Sequence, residues 1–441
     1  MSFNIGLSGL YAANKQLDVT GNNIANVATT GFKSSRAEFA DVYSANKLGV
    51  GTSNIGNGVR LAAVSQQFKN GEINNTGNVL DMGIQGQGFF VLSDNGSLSY
   101  TRAGAFQTNK DNYVVTADGL RLRGYGVDEN GKIINGVLTD LKIDTSALAP
   151  KSTTSIDQGL NLNSSDKIIP AATTFSPTDE NSWNKTFATK IYDSQGNEHV
   201  MDQYYVKTGT NTWKSYTLID GRNPLNPAEE PPKALEGTIE FNSDGSVKTM
   251  TAGAAGSGYE VVNKVFKLTG WIPAEVTNPN AKPPVWGTNG SAANAGGIAI
   301  DMTDTTSYNT PTTRLSQSQD GYATGILSSL SIDSSGVMFA SFSNQQSRAI
   351  GQVAIASFAN EQGLQPMGGT RWTETYASGI PGIDAPKTGT LGAIASNSLE
   401  DSNVNLTNEL VELIKAQSNY QANAKTISTQ STIMQTIIQM T

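Results

Sequence analysis

Beyond Gly392 the chain contains neither glycine nor proline, and from Leu406 onward one line of residues recurs at alternating steps of four and three. The line runs through Leu406, Leu410, Leu413, Tyr420, Ile427, Met434 and Ile438, with Gln417, Ala424 and Ser431 at the intervening steps. That spacing is the seam of a coiled coil. Asn405 or Thr407 can cap the helix, Glu409 and Glu412 suit its positive end, and Lys415 and Lys425 lie further along. At the helical rise, residues 405–441 make a rod of roughly 55 Å. One globular core has no use for such a rod.

The other end has the same rhythm, with Phe3, Leu7, Leu10, Ala13, Leu17, Thr20, Ile24 and Val27 along one stripe. Gly6, Gly9 and Gly21 each cost about 1 kcal/mol relative to alanine, so this helix is poor alone and needs a partner. The small residues suit a close approach, and the C-terminal rod is the natural partner.

All 15 prolines fall between Pro150 and Pro386, and all five tryptophans follow Pro150, so the ends differ in kind from the middle. With 441 residues, about three domains are expected. Between the helices the pattern changes to period two. Phe89 to Leu92, Leu98 to Thr101, Tyr113 to Val115 and Leu120 to Tyr125 are predicted strands, separated by Asp94-Asn95-Gly96, Asp118-Gly119 and Asn130-Gly131. Phe187 to Tyr192, Val200 to Val206 and Trp213 to Ile219 continue the texture, followed by Leu330 to Ile332, Val337 to Phe342 and Gly351 to Phe358. Asn223 to Lys233 and Gly287 to Gly297 read as surface loops, and Gly49 to Gly58 as a flexible connector.

The chemistry-bearing residues are sparse. With no cysteine and one histidine, His199, thiolate nucleophiles, disulfides and Cys- or multi-His metal sites are excluded. His199 lies in an alternating strand beside Glu198 and Asp202 and reads as a strand-surface residue. Gly83 to Gly88 lacks the lysine and following helix of a phosphate loop and reads as tight turns. Asp193, Asp244 and Asp333 sit in glycine-containing turns where their side chains bond local backbone, and nothing selects a carboxylate pair. A formal net charge of -8 argues against nucleic acid and anionic membranes. No apolar run reaches the roughly 20 residues that span a bilayer. The N-terminus does not read as a secretory signal, since its first basic residue is Lys15. The predicted site inventory is therefore empty of catalytic, cofactor and metal residues.

Three ordered segments carry a resemblance. LSGLYAANKQLDVTGNNIANVATTGFK (Leu7 to Lys33), GQGFFVL with YTRAGAF and GLRLRGY (Gly86 to Tyr125), and SNVNLTNELVELIKAQSNYQANAKTISTQ (Ser402 to Gln430) resemble the flagellar rod and hook axial proteins. YDSQGNEHVMDQYYVKT (Tyr192 to Thr208) is similar to the outer domain of the hook members, which are longer than the rod members.

The resemblance implies a mainly β, nested multi-domain axial protein with a terminal α-helical coiled-coil pair, discontinuous inner domains and an inserted β-rich outer domain. Residues 1–32 and 402–441 would be the innermost helices, 33–70 a connector, 71–148 and 323–401 the core domain, and 149–322 the outer domain. It implies a self-polymerising, curved and flexible tube with a central export channel, acting as a universal joint outside the cell. The chain would leave by the flagellar type III export apparatus without a cleavable signal peptide. Its expected partners are copies of itself, the distal rod protein, the hook cap and the hook-filament junction protein. No cofactor, nucleic acid or membrane is implied. Phe3 and Leu7 match an N-terminal Phe-x-x-x-hydrophobic export motif, and both equally fit the helix stripe. Spirochaete members cross-link through cysteine, which this chain lacks, so its polymer is expected to be noncovalent.

The mechanism expected from these features divides the labour. The terminal stripes give torsional stiffness, the polar outer domain makes wet contacts that re-form in shifted registers, and the ends are disordered in the free monomer. The residues leave open a distal rod protein, a β-rich adhesin or a secreted glycosidase.

Overall fold

The computed structural model describes residues 2–42, 56–128, 131–292 and 294–440, in two compact units. The first comprises residues 1–145, 328–341 and 347–441, and the second residues 146–327 and 342–346.

The first unit contains both long helices, α1 (Ser2–Ala25) and α2 (Leu406–Met440). Asn405 caps α2, its Oδ1 accepting from the Asn408 N–H at 3.1 Å. α1 stops sooner than its stripe predicts. Asn23 turns its amide onto Ser35, donating to the carbonyl at 2.8 Å and accepting from the N–H at 2.9 Å. Asn26 returns its side chain to the Asn22 carbonyl, and Gly31 takes a positive φ of 69°. Val27 therefore lies in a turn and not on the helix.

Part of the expected connector is ordered β structure. Ser35–Asp41 and Val59–Gln66 pair antiparallel, from Ser35 opposite Gln66 to Asp41 opposite Val59. The described part of the Gly49 to Gly58 segment begins at Gly56, and residues 43–55 lie outside the described residues. Phe68 leads back into the core, where its ring meets Phe89 and Trp372 edge-on at 5.7 and 5.6 Å. Around them, Phe89–Asp94 and Ser97–Thr101 form a hairpin closed by Asn95 and Gly96, both at positive φ (49° and 100°), as a two-residue turn of right-twisted strands requires.

Two further sequence expectations fail in this unit. Gly83 to Gly88 is not all turn: Met82–Gln85 is a strand paired with Ala393–Ser396, and the turn begins at Gly86. Gly351 to Phe358 is two strands. Ser347–Val353 pairs with Arg121–Val127, and Ile355–Ser357 pairs with Phe89–Asp94 and Gly382–Asp384. The change of partner at Ala354 breaks the run.

The second unit packs two five-stranded sheets over one core. One is a meander of Lys185–Tyr192, Glu198–Gly209, Thr212–Ile219, Leu235–Phe241 and Val247–Thr251. The other orders Tyr259–Val262, Val265–Leu268, Ile298–Asp301, Ser155–Asn161 and Thr313–Gln319. Ile156, Met201, Trp213, Phe266 and Ile300 fill the space between them.

Candidate self-assembly surface

α1 and α2 run antiparallel, as three contacts show. A Cβ placed on Gly6 would lie 3.1 Å from Ile427 Cγ1, one on Gly9 would lie 2.4 Å from Asn423 Oδ1, and Gln16 Nε2 donates to Glu412 Oε2 at 3.4 Å. The glycines let the backbones approach, as their spacing predicts. Along the seam Gly6, Ala13 and Thr20 are buried on α1 and Ala416 on α2, so the closest line is made of small residues.

The large apolar residues lie beside that line. Leu7, Leu10, Leu17 and Ile24 on α1 and Leu413 and Ile427 on α2 are half-buried. Phe3, Leu406, Leu410, Tyr420, Met434 and Ile438 are exposed, Met434 at 56% and Ile438 at 70%. Val27, in its turn, lines a shallow pocket with Leu406. The contacts pair residue 6 with 427, so α1 ends opposite residues near 431 and α2 runs on by about nine residues, about 13 Å. The α2 stripe, half-buried at Leu413 and Ile427 where α1 lies alongside, continues into this overhang through Met434 and Ile438.

The root of the helix pair is fixed by charges that sequence reasoning did not single out. Lys33 Nζ donates to Glu400 Oε1 at 2.6 Å and to the Lys69 carbonyl at 2.8 Å. Arg102 donates to Glu400 Oε2 at 3.2 Å and to the Gly86 carbonyl at 2.8 Å. All three side chains are essentially inaccessible. Burial pushes Lys33 and Arg102 below their ordinary ranges, and Glu400 opposes the shift in both. Asn403 ties the same segments, donating to the Gln67 and Lys69 carbonyls and accepting from the Ser34 N–H. Lys33 and Arg102 lie in the family-like motifs, but the signal for Glu400, an acid in a short strand, is too common to stand out.

The sole histidine is not on the strand surface. Alternation along Glu198–Gly209 points His199 inward with Met201, Gln203 and Tyr205. Its Nδ1 lies 2.6 Å from Asp220 Oδ2 and its Nε2 3.4 Å from Asp193 Oδ2, with the Trp271 ring edge-on at 5.2 Å. Asp193 also accepts from Ser291 Oγ, Asn289 Nδ2 and Asn197 Nδ2. Burial alone would raise the Asp193 pKa, but these donors hold it well below the usual carboxylate range. Both ring nitrogens face carboxylates and Ser291 is bonded to Asp193, so no Ser–His nucleophile pair exists here. The two carboxylates sit on opposite sides of the ring and cannot converge with it on one metal ion. Asp193, Asp244 and Asp333 do bond local backbone, accepting from Gln195, Ser246 and Ser335 N–H groups respectively.

Comparison with known proteins assigns this architecture. Four family profiles match in order along the chain. They are "Flagella basal body rod protein" over residues 3–33, "Flagellar hook protein FlgE/F/G D1 domain" over 83–158, "Flagellar basal body protein FlaE D2 domain" over 161–322, and "Flagellar basal body rod FlgEFG protein C-terminal" over 395–440. The flagellar hook protein FlgE of Escherichia coli is 37% identical over 100% of both chains. That of Borreliella burgdorferi is 31% identical over 99% of this chain and 98% of its own. The crystal structure of the Helicobacter pylori flagellar hook protein FlgE2 covers 74% of this chain and 100% of its own at 15% identity, with a TM-score of 0.49. Matched end to end by hook proteins at more than 30% identity, the chain belongs to the flagellar hook protein family, structural subunits that polymerise with copies of themselves at the flagellar basal body.

Proposed function

We propose that the terminal helix pair is the inner packing element of the hook polymer and that residues 149–322 form its compliant outer layer. The observation that carries this reading is the apolar stripe of α2, which continues exposed past the end of α1. Covering a large apolar side chain contributes about 1.5–3 kcal/mol, so stripes shared between copies stiffen the tube against torsion. The outer residues, rich in Asn, Ser and Thr, make wet contacts that re-form in shifted registers, which lets the tube bend as it turns. The chain acts as a universal joint around a central channel. It is added beneath a hook cap onto the distal rod protein, and is followed by the hook-filament junction protein.

Replacing residues 149–322 by a short linker tests the division of labour. The expected product, seen by electron microscopy, is a tube that assembles and no longer curves normally; outright failure to assemble overturns the reading. Export by the flagellar type III apparatus is part of the same proposal, with Phe3, 47% exposed at the start of α1, and Leu7 as the recognised pair. Phe3→Ala is expected to lower secretion from cells, and unchanged secretion removes Phe3 from that role.

A further inference from the structure

We propose that residues 375–381 form a preshaped knob that packs against a second copy of this chain, a polymer contact separate from the terminal helices. Tyr376 and Ile380 are among the most exposed large apolar residues described, with the whole Tyr376 side chain and 92% of Ile380 in solvent. Such side chains usually sit on yielding loops, but this one is pinned from inside. The Thr375 N–H donates to Ser378 Oγ at 2.9 Å, and Ser378 Oγ returns to the Thr375 carbonyl at 2.8 Å, with the Ser378 side chain fully buried. Thr375 Oγ1 donates to the Gly363 carbonyl at 2.6 Å, and Asn360 Nδ2 to the Ala377 carbonyl at 3.0 Å. Gly363 fits so closely that a Cβ there would lie 2.5 Å from the Ala377 carbonyl carbon. The backbone that carries the two apolar side chains is thus ordered before any partner arrives, which removes the backbone share of the ordering cost of binding.

The occupant follows from charge and from family. The inference rests on the chain being a subunit of a homopolymer. Copies with a formal net charge of -8 repel one another, and residues 375–383 carry no charge at all. The adjacent Glu374 is engaged by Tyr100, whose hydroxyl donates to it at 2.7 Å. A neutral Tyr/Ile pair on a pinned backbone in an acidic chain is a place where copies can meet without opposing charge. A knob entering a different surface of the next copy makes a head-to-tail contact, which propagates as an open helix and does not close into a dimer.

The absence of cysteine makes the test direct, because Tyr376→Cys introduces a unique thiol. The variant, carrying a thiol-linked benzophenone, is mixed at trace level into unlabelled parent chain and irradiated before and after polymerisation. Chain-to-chain adducts from position 376 are expected in the polymer and not in the monomer. The double variant Tyr376→Ala/Ile380→Ala should keep the monomer's melting temperature and raise the critical concentration at least about tenfold, while Tyr376→Phe stays close to the parent. A polymer that forms normally without adducts, from a double variant that assembles at the parent's concentration, overturns the knob and leaves the helix reading intact. A parent chain that forms no polymer overturns both.

Discussion

Lys33 and Glu400, 367 residues apart in sequence, meet at 2.6 Å with both side chains removed from water. The contact joins the segment that leaves α1 to the segment that enters α2, and Arg102 brings the β core into the same cluster. The helix pair is thereby tied to its β unit through ionic groups that cannot be hydrated if one is lost.

Glu400→Gln therefore leaves two buried cations without their carboxylate and should destabilise the first unit by about 3–5 kcal/mol in denaturant unfolding. Adding Lys33→Met to that variant removes one orphaned charge and should recover part of the loss. A single variant as stable as the parent would contradict the assigned role of the cluster.

The second unit should show a pH dependence centred on His199. Burial disfavours its charge, but hydrogen bonds and charges from Asp220 and Asp193 outweigh burial and raise its pKa above the ordinary 6.5. A group raised in the folded state stabilises fully below its unfolded pKa, and that contribution disappears as pH rises through the folded value. The unfolding midpoint of the second unit is thus expected to fall on going from pH 6 to alkaline pH, and His199→Gln should flatten that slope. An unchanged slope in the variant would assign the dependence elsewhere.

The glycines of α1 separate two kinds of demand. Gly9→Leu must displace Asn423, whose Oδ1 would lie 2.4 Å from a Cβ at position 9, and should weaken the helix pair. Gly21 meets nothing within 4 Å, so Gly21→Ala should stabilise α1 by about 0.5–1 kcal/mol in the monomer. Circular dichroism on the two variants gives opposite changes in helicity if this packing is correct.

Limited proteolysis tests how much the pair holds by itself. Ala416 is the one buried residue among the described residues of α2, so little apolar surface opposes unfolding of this helix in a lone chain. Dilute monomer should be trimmed within the two helices to a core that keeps Lys33 and Glu400, of roughly residues 30–404, and the polymer should resist. Equal resistance of monomer and polymer would argue that the ends are stable without neighbours.

Much of this was legible in sequence because periodicity reports burial. The two helices, the hairpin around Asn95-Gly96 and the meander from Lys185 to Ile219 follow from steps of 3.5 and 2 together with turn residues. What the pattern could not supply was partner identity. The stripe on α2 was readable, but which residues α1 covers depends on two glycines and a small-residue line lying beside the large ones. His199 departs from its expected surface position although Met201 and Tyr205 share its parity, because its polar type points outward while its phase in the strand points inward. Glu400, Lys33 and Arg102 come together only through long-range closure, which leaves no local signature.

The α2 stripe beyond α1 is the proposed polymer surface, and it is tested most directly by the critical concentration for assembly of Met434→Glu. Met434 is 56% exposed in the single chain, so the substitution should leave the monomer's helicity and melting temperature unchanged. The account predicts that the variant fails to form tubes at concentrations where the parent does, with a critical concentration raised about a hundredfold or more, as a buried unpaired charge requires. Tubes forming at the parent's concentration would contradict it.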